Sequence, residues 1–139
     1  MKRFLHLIAI AGLAGAATPA LAQSRMDGLW LNPRGTVAVR AGDCGGKLCG
    51  WIEWAAPQAK ADAKDSGIVD LIGVELLEDY VPDGSGSWSG SVYVPDMGHH
   101  FASTITQVGA SELKVQGCVI GGFICKTQIW QRIEKVPNA

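Results

Sequence analysis

The sequence predicts an all-β domain, a small eight-stranded antiparallel up-and-down barrel carrying two hairpin disulfides. Three observations predict it. Short runs rich in Val, Ile, Trp and Thr alternate with glycine-containing breaks. Most of those breaks are short, as a meander of consecutive hairpins requires. The four cysteines fall into two close pairs, Cys44 with Cys49 and Cys118 with Cys125.

The first 22 of the 139 residues stand apart from that domain. Met1-Lys2-Arg3 is a basic start, Phe4 to Ala17 an apolar run, and Ala20-Leu21-Ala22 a small-x-small cleavage site. This is the layout of a secretory signal peptide cut after Ala22, and it predicts a periplasmic or secreted product. No cysteine sits at the cleavage site to carry a lipid anchor, and no Arg-Arg pair precedes the apolar run. Losing Lys2 and Arg3 takes the net charge from −1 to about −3. A mildly acidic surface argues against a nucleic-acid partner, which wants a basic stripe. No later apolar run approaches the ~18 residues that span a bilayer, so no stable membrane insertion is expected.

In order, strands are expected at 28–32, 36–44, 49–54, 69–78, 87–94, 99–107, 111–118 and 125–134. The first opens on Gly28-Leu29-Trp30 and the last closes on Trp130-Gln131-Arg132. Between the third and fourth lies Ala55 to Ile68, an Ala- and Lys-containing stretch able to hold a helical turn. Its length is near the upper end for an unstructured loop, which leaves a lid or a plain crossing as its two readings. Nothing in the chain repeats, and no linker divides residues 23–139 into more than one domain.

The second and third strands allow a register to be tried. A two-residue turn at Gly46-Lys47 sets Arg40 opposite Glu53, Gly42 opposite Trp51 and Cys44 opposite Cys49 on one face. The other face then carries Val39 opposite Trp54 and Ala41 opposite Ile52. With Gly121-Gly122 as the last turn, Cys118 meets Cys125. An even cysteine count in an exported chain reads as a disulfide framework, and opposed strand residues fall within disulfide reach. A zinc site is the alternative for four cysteines, but pair spacings this loose in an oxidising compartment favour disulfides, so no metal and no cofactor is expected.

The same last register puts Leu113 opposite Trp130, Val115 opposite Gln128 and Gly117 opposite Lys126. Leu113 and Val115 mark the lumen face, so Lys126, Gln128 and Arg132 point inward beside Trp130. Charge inside a barrel must be answered. One answer is a polar or anionic ligand head group held by Lys126 and Gln128, its apolar part among Trp54, Trp130 and Val39. The other has Lys126 reaching water at an open rim while Arg132 lies over Trp30 at a closed end.

Gly28-x-Trp30 paired with a terminal Arg132 resembles the signature of lipocalin-like barrels, in which the indole seals one end under an arginine. The wider order is Gly28-x-Trp30, Cys44-Gly45-Gly46-Lys47-Leu48-Cys49-Gly50-x-Ile52, Ile72-Gly73, Trp88-x-Gly90-x-Val92-Tyr93-x-Pro95 and Thr127-Gln128-x-Trp130-x-Arg132. Together these motifs resemble the exported bacterial family named domain of unknown function 2147. That resemblance implies a lipocalin-like barrel of the bacterial envelope with no established reaction.

Catalytic constellations are missing from the sequence. His99 and His100 are the histidines that remain after the leader, and neighbours in a strand face opposite ways. No nucleophile elbow, phosphate loop or His-Glu-x-x-His occurs. A non-enzymatic function is therefore expected: a barrel binding a small amphiphilic, lipid-like molecule. The alternative is an envelope interaction or structural protein with a filled barrel and a protein partner of unknown identity.

Overall fold

Eight antiparallel strands close on themselves in chain order in a computed structural model of the protein. The structure describes residues 26–84, 86–119 and 124–138, with Gly12 and Gly15. The expected leader, and the Gly121-Gly122 turn, otherwise lie outside the described residues. The strands are β1 Gly28–Leu31, β2 Val37–Asp43, β3 Leu48–Ala55, β4 Glu75–Pro82, β5 Ser87–Val94, β6 His99–Val108, β7 Glu112–Val119 and β8 Ile124–Ile133. One helix, α1 Pro57–Asp65, joins β3 to β4. Both disulfides are formed as expected, Cys44–Cys49 and Cys118–Cys125, and each closes a small loop that restricts the unfolded chain by about 2–2.5 kcal/mol.

The Ala55–Ile68 stretch holds more than a helical turn. Pro57 starts α1 at the position where a missing N–H costs nothing, and Ala63 is buried in the core with Ala59 and Ile68 against it. The Ser66 hydroxyl donates to the Asp96 carbonyl at 2.9 Å, tying the helix end to the β5–β6 turn. The helix is thus a seated cap over part of one barrel end. The fourth strand starts later than the expected 69–78. Residues 68–74 form a tight connection instead, in which the Asp70 carboxylate accepts from the Ile72 N–H at 3.1 Å and Gly73 takes a φ of 88°.

The β2–β3 register also departs from expectation. Val39 faces Ile52, Arg40 faces Trp51 and Gly42 faces Cys49, two residues from the predicted pairing. The turn is four residues long, Cys44 to Lys47, closed by the Cys44 N–H donating to the Lys47 carbonyl at 2.9 Å. A shift of two keeps every side chain on its face, which is why the Arg40–Glu53 ion pair survives diagonally at 2.8 Å. A bulge between Ala38 and Val39 then breaks the alternation and sets Trp54 opposite Ala38. Trp54 is half-buried and lies outside the core cluster, on the other face from Val39.

At the opposite end the chain seals itself. Trp30 is fully buried, its indole N–H donating to the Met26 carbonyl at 2.8 Å. The Arg132 guanidinium lies 4.2 Å from the Trp30 ring centroid and donates to the carbonyls of Asp27 at 2.7 Å and Ala110 at 3.0 Å. This explains Gly28. Its φ is 128°, and a Cβ there would stand 2.6 Å from the Arg132 guanidinium. Arg132→Met keeps the apolar arm but loses the cation–π contact and both hydrogen bonds, and should cost about 2–4 kcal/mol by denaturant unfolding.

The Asp27 carboxyl beside this clamp is held above the ordinary aspartate value of 3.8, first by burial and then by Asp43, with Arg132 pulling the other way. One of its oxygens is buried without a hydrogen-bond partner. A carboxyl whose folded pKa is raised favours folding below the unfolded pKa and loses that benefit as pH rises through the folded one. Asp27→Asn should therefore raise the melting temperature at pH 7, with the gain disappearing below about pH 3.8 in a series of thermal melts.

Candidate ligand site

The lumen is layered by register. Beginning from the sealed end, Leu113 faces Trp130, and both are buried. The next layer runs Trp88, Ile105, Val115, Gln128 across β5 to β8. The layer above runs Gly90, Ser103, Gly117, Lys126. Two of those four positions have no side chain. Above them again stand Val92 and Phe101. A bulge in β4, where Asp79 takes a φ of 52°, turns Tyr80 inward over Gly90. A Cβ on Gly90 would sit 2.6 Å from the Tyr80 ring, so the glycine is what admits the tyrosine. At Gly117 the nearest neighbour of a Cβ is a Val92 methyl at 3.7 Å, which is ordinary contact.

Two hydroxyls face this glycine-thinned layer without partners. Tyr80 is fully buried and Ser103 is 6% exposed, and neither oxygen finds a hydrogen bond of acceptable geometry among the described residues. Burial pushes the Tyr80 hydroxyl well above the ordinary phenol range, the nearby Ser103 hydroxyl opposes the shift, and Glu78 adds to it. The phenol therefore stays protonated. Gln128 accepts the Trp130 indole N–H on its carbonyl oxygen at 2.9 Å, leaving its NH2 as a donor. Lys126 is exposed and makes no ion pair among the described residues.

An opening reaches this layer. β1 pairs with β8 through Leu29, Trp30 and Leu31 alone, against Ile133, Arg132 and Gln131. Residues 124–130 of β8 thus pair with β7 on one side and with no described strand on the other. Gln128 and Lys126 sit on the inner face of that stretch and are nonetheless exposed, so the barrel wall is open beside them. The same end carries exposed apolar side chains: Val69 at 89% and Met97 at 56% in its loops, and Ile124 at 53% at the start of β8.

Residues 28–132 match the family model described as an uncharacterized protein conserved in bacteria, DUF2147. The chain belongs to the DUF2147 family. Among solved structures, this DUF2147 protein is similar to a Helicobacter pylori protein described as belonging to the lipocalin family. The TM-score is 0.58 at 16% identity, over 79% of this chain and 84% of that one. That likeness shows the fold, a lipocalin-like barrel. No curated protein is similar enough to add a further relative.

Of the site residues expected from sequence, this DUF2147 barrel brings Lys126, Gln128 and Trp130 together on one strand face. Val39 shares the lumen but is fully buried between Trp30 and Ile52, and Trp54 is turned out of it. Sequence reasoning missed Tyr80 and Ser103, because their meeting depends on the β4 bulge. It also missed the Glu78–His100 contact of 2.8 Å on the outer surface, where the His100 ring lies 4.6 Å from that of Tyr93. The sulfurs of Cys44 and Cys49 lie near the Asp79 carboxylate, but both are spent in a disulfide and offer no thiolate to a metal. A depression of about 280 Å³ on the outer face is lined by Ser89, Ala102, Thr104, Gln116 and Cys118, with Gly90 and Ser103 beneath.

The two lumen glycines should respond oppositely to alanine. Gly90→Ala drives a methyl into the Tyr80 ring and the Glu78 carbonyl, and should cost about 1–3 kcal/mol as an overpacked core does. Gly117→Ala meets no such contact and should stabilise the strand by about 0.5–1 kcal/mol. Denaturant midpoints of the two variants check the contrast.

Proposed function

We propose that this protein is an exported, non-catalytic binding barrel for a small amphiphilic, lipid-like molecule in the periplasm. The single observation that carries the reading is a glycine-thinned lumen layer with unpartnered buried hydroxyls, beside an opening flanked by an exposed lysine. A barrel filled only for stability gains nothing from a buried hydroxyl without a partner. The ligand's apolar part would lie over Trp130, Val115 and Ile105, with its head group toward Lys126 and Gln128. The signal-peptide layout of residues 1–22 and the two disulfides support an oxidising compartment outside the cytoplasm.

A second reading, an envelope interaction protein with a filled barrel, rests on how completely the inner residues are buried below the Gly90–Ser103–Gly117 layer. Native mass spectrometry of the protein taken from periplasm separates the two. The binding reading expects a co-purifying small molecule, lost in Gly117→Leu, whose side chain would occupy the thinned layer while the protein stays folded. Protein that carries no small molecule but retains a co-purifying protein equally in wild type and Gly117→Leu would favour the second.

A further inference from the structure

The inner layer of Tyr80, Ser103 and Lys126 has a chemical sense that the apolar lumen around it lacks. From the geometry we infer that the Tyr80 and Ser103 hydroxyls donate hydrogen bonds to a carboxylate of the ligand, completing with Lys126 an oxyanion site that runs from the barrel interior to its open wall. This rests on the binding reading and specifies the ligand class for it.

Every polar group facing the layer can donate, and two of them, Lys126 and the Gln128 NH2, can only donate. A lysine ammonium donates only, and the free half of the Gln128 amide is its NH2, since the carbonyl oxygen already accepts from Trp130. The Tyr80 phenol keeps its proton in its buried position. An incoming ammonium would meet like donors in Lys126 and the Gln128 NH2, whereas an oxyanion accepts from these and from both hydroxyls. The spacing agrees. Ser103 and Lys126 are separated by one strand position, Gly117, so their Cα atoms are roughly 9.5 Å apart. The one neighbour within 4 Å of a Cβ position on Gly117 is a Val92 methyl at 3.7 Å, and a lysine arm spans much of that gap. Tyr80 arrives from the other flank, across Gly90. The carboxylate therefore seats between the hydroxyl pair and the lysine, and the ligand's chain runs along Val115 and Trp130.

Two conservative variants, Tyr80→Phe and Ser103→Ala, test this with three probes on the folded protein. N-phenyl-1-naphthylamine is apolar and has no oxygen; dodecanoate and dodecylamine have the same chain with opposite head groups. Dodecanoate should displace the naphthylamine from wild type, with dodecylamine much weaker. Each variant should bind dodecanoate about 5- to 30-fold more weakly, the loss of one hydrogen bond to a charged group, while binding the naphthylamine as wild type does. Without ligand, both variants should melt at or above the wild-type temperature, because each removes a buried hydroxyl that has no partner. Variants that hold dodecanoate as tightly as wild type overturn the oxyanion site and leave the binding barrel standing, as does dodecylamine binding equal to dodecanoate. A Tyr80→Phe melting temperature several degrees lower would show that the hydroxyls serve the fold, and would overturn the site as well. Wild type that takes up none of the three probes overturns the binding reading itself.

Discussion

The Arg132 guanidinium over Trp30 is the contact on which the rest of the barrel depends. First and last strands meet through three residue pairs, too few to close a sheet firmly on their own. Arg132 supplies the difference by gripping the backbone of Asp27 and Ala110 as well as the indole. Because the guanidinium takes the space of a side chain at position 28, glycine is the residue that fits there. The Gly-x-Trp motif and the terminal arginine are thus one device, written at the two ends of the chain.

With closure concentrated at one end, the other end is released from it. β1 stops at Leu31, so β8 runs on with no described strand on that side, and the wall opens where Lys126 and Gln128 face inward. The helix seated by Ala63 and Ile68 covers part of the same end. Stability and access are therefore assigned to different ends of one sheet. The lower layers, with Trp30, Ile52, Leu113 and Ile105, hold the fold, and the glycine-thinned layer above them admits the Tyr80 ring over Gly90.

How much of this was legible in the sequence follows from where the alternation of strands is unbroken. β7 and β8 keep strict alternation from Glu112 to Trp130, so their pairing, the Cys118–Cys125 disulfide and the inward face of Lys126 and Gln128 could be read from residue spacing. β2 and β3 are joined by Cys44 to Lys47, where a glycine pair imitates a two-residue turn, and the register slid by two. Faces survived because the slip was even. The bulge beside Val39 then flipped Trp54, since one extra residue reverses every side chain beyond it. Tyr80 was hidden for the same reason: the bulge at Asp79 decides its direction, and nothing in Glu-Asp-Tyr announces a left-handed aspartate. Ser103 was hidden because its surroundings come from Gly90 and Gly117, which lie on neighbouring strands rather than nearby in the chain.

The side of β8 that no described strand covers also bears on solubility. An edge with no described strand beside it is a template on which a strand of another molecule can grow, and exposed Ile124 and Ile129 would help it to do so. Lys126 stands between them and points inward, so a strand added along that edge would shut an ammonium into the barrel. An inward charge on an edge strand guards against polymerisation for this reason. A lysine at this position thus works against strand addition by a second copy of the chain.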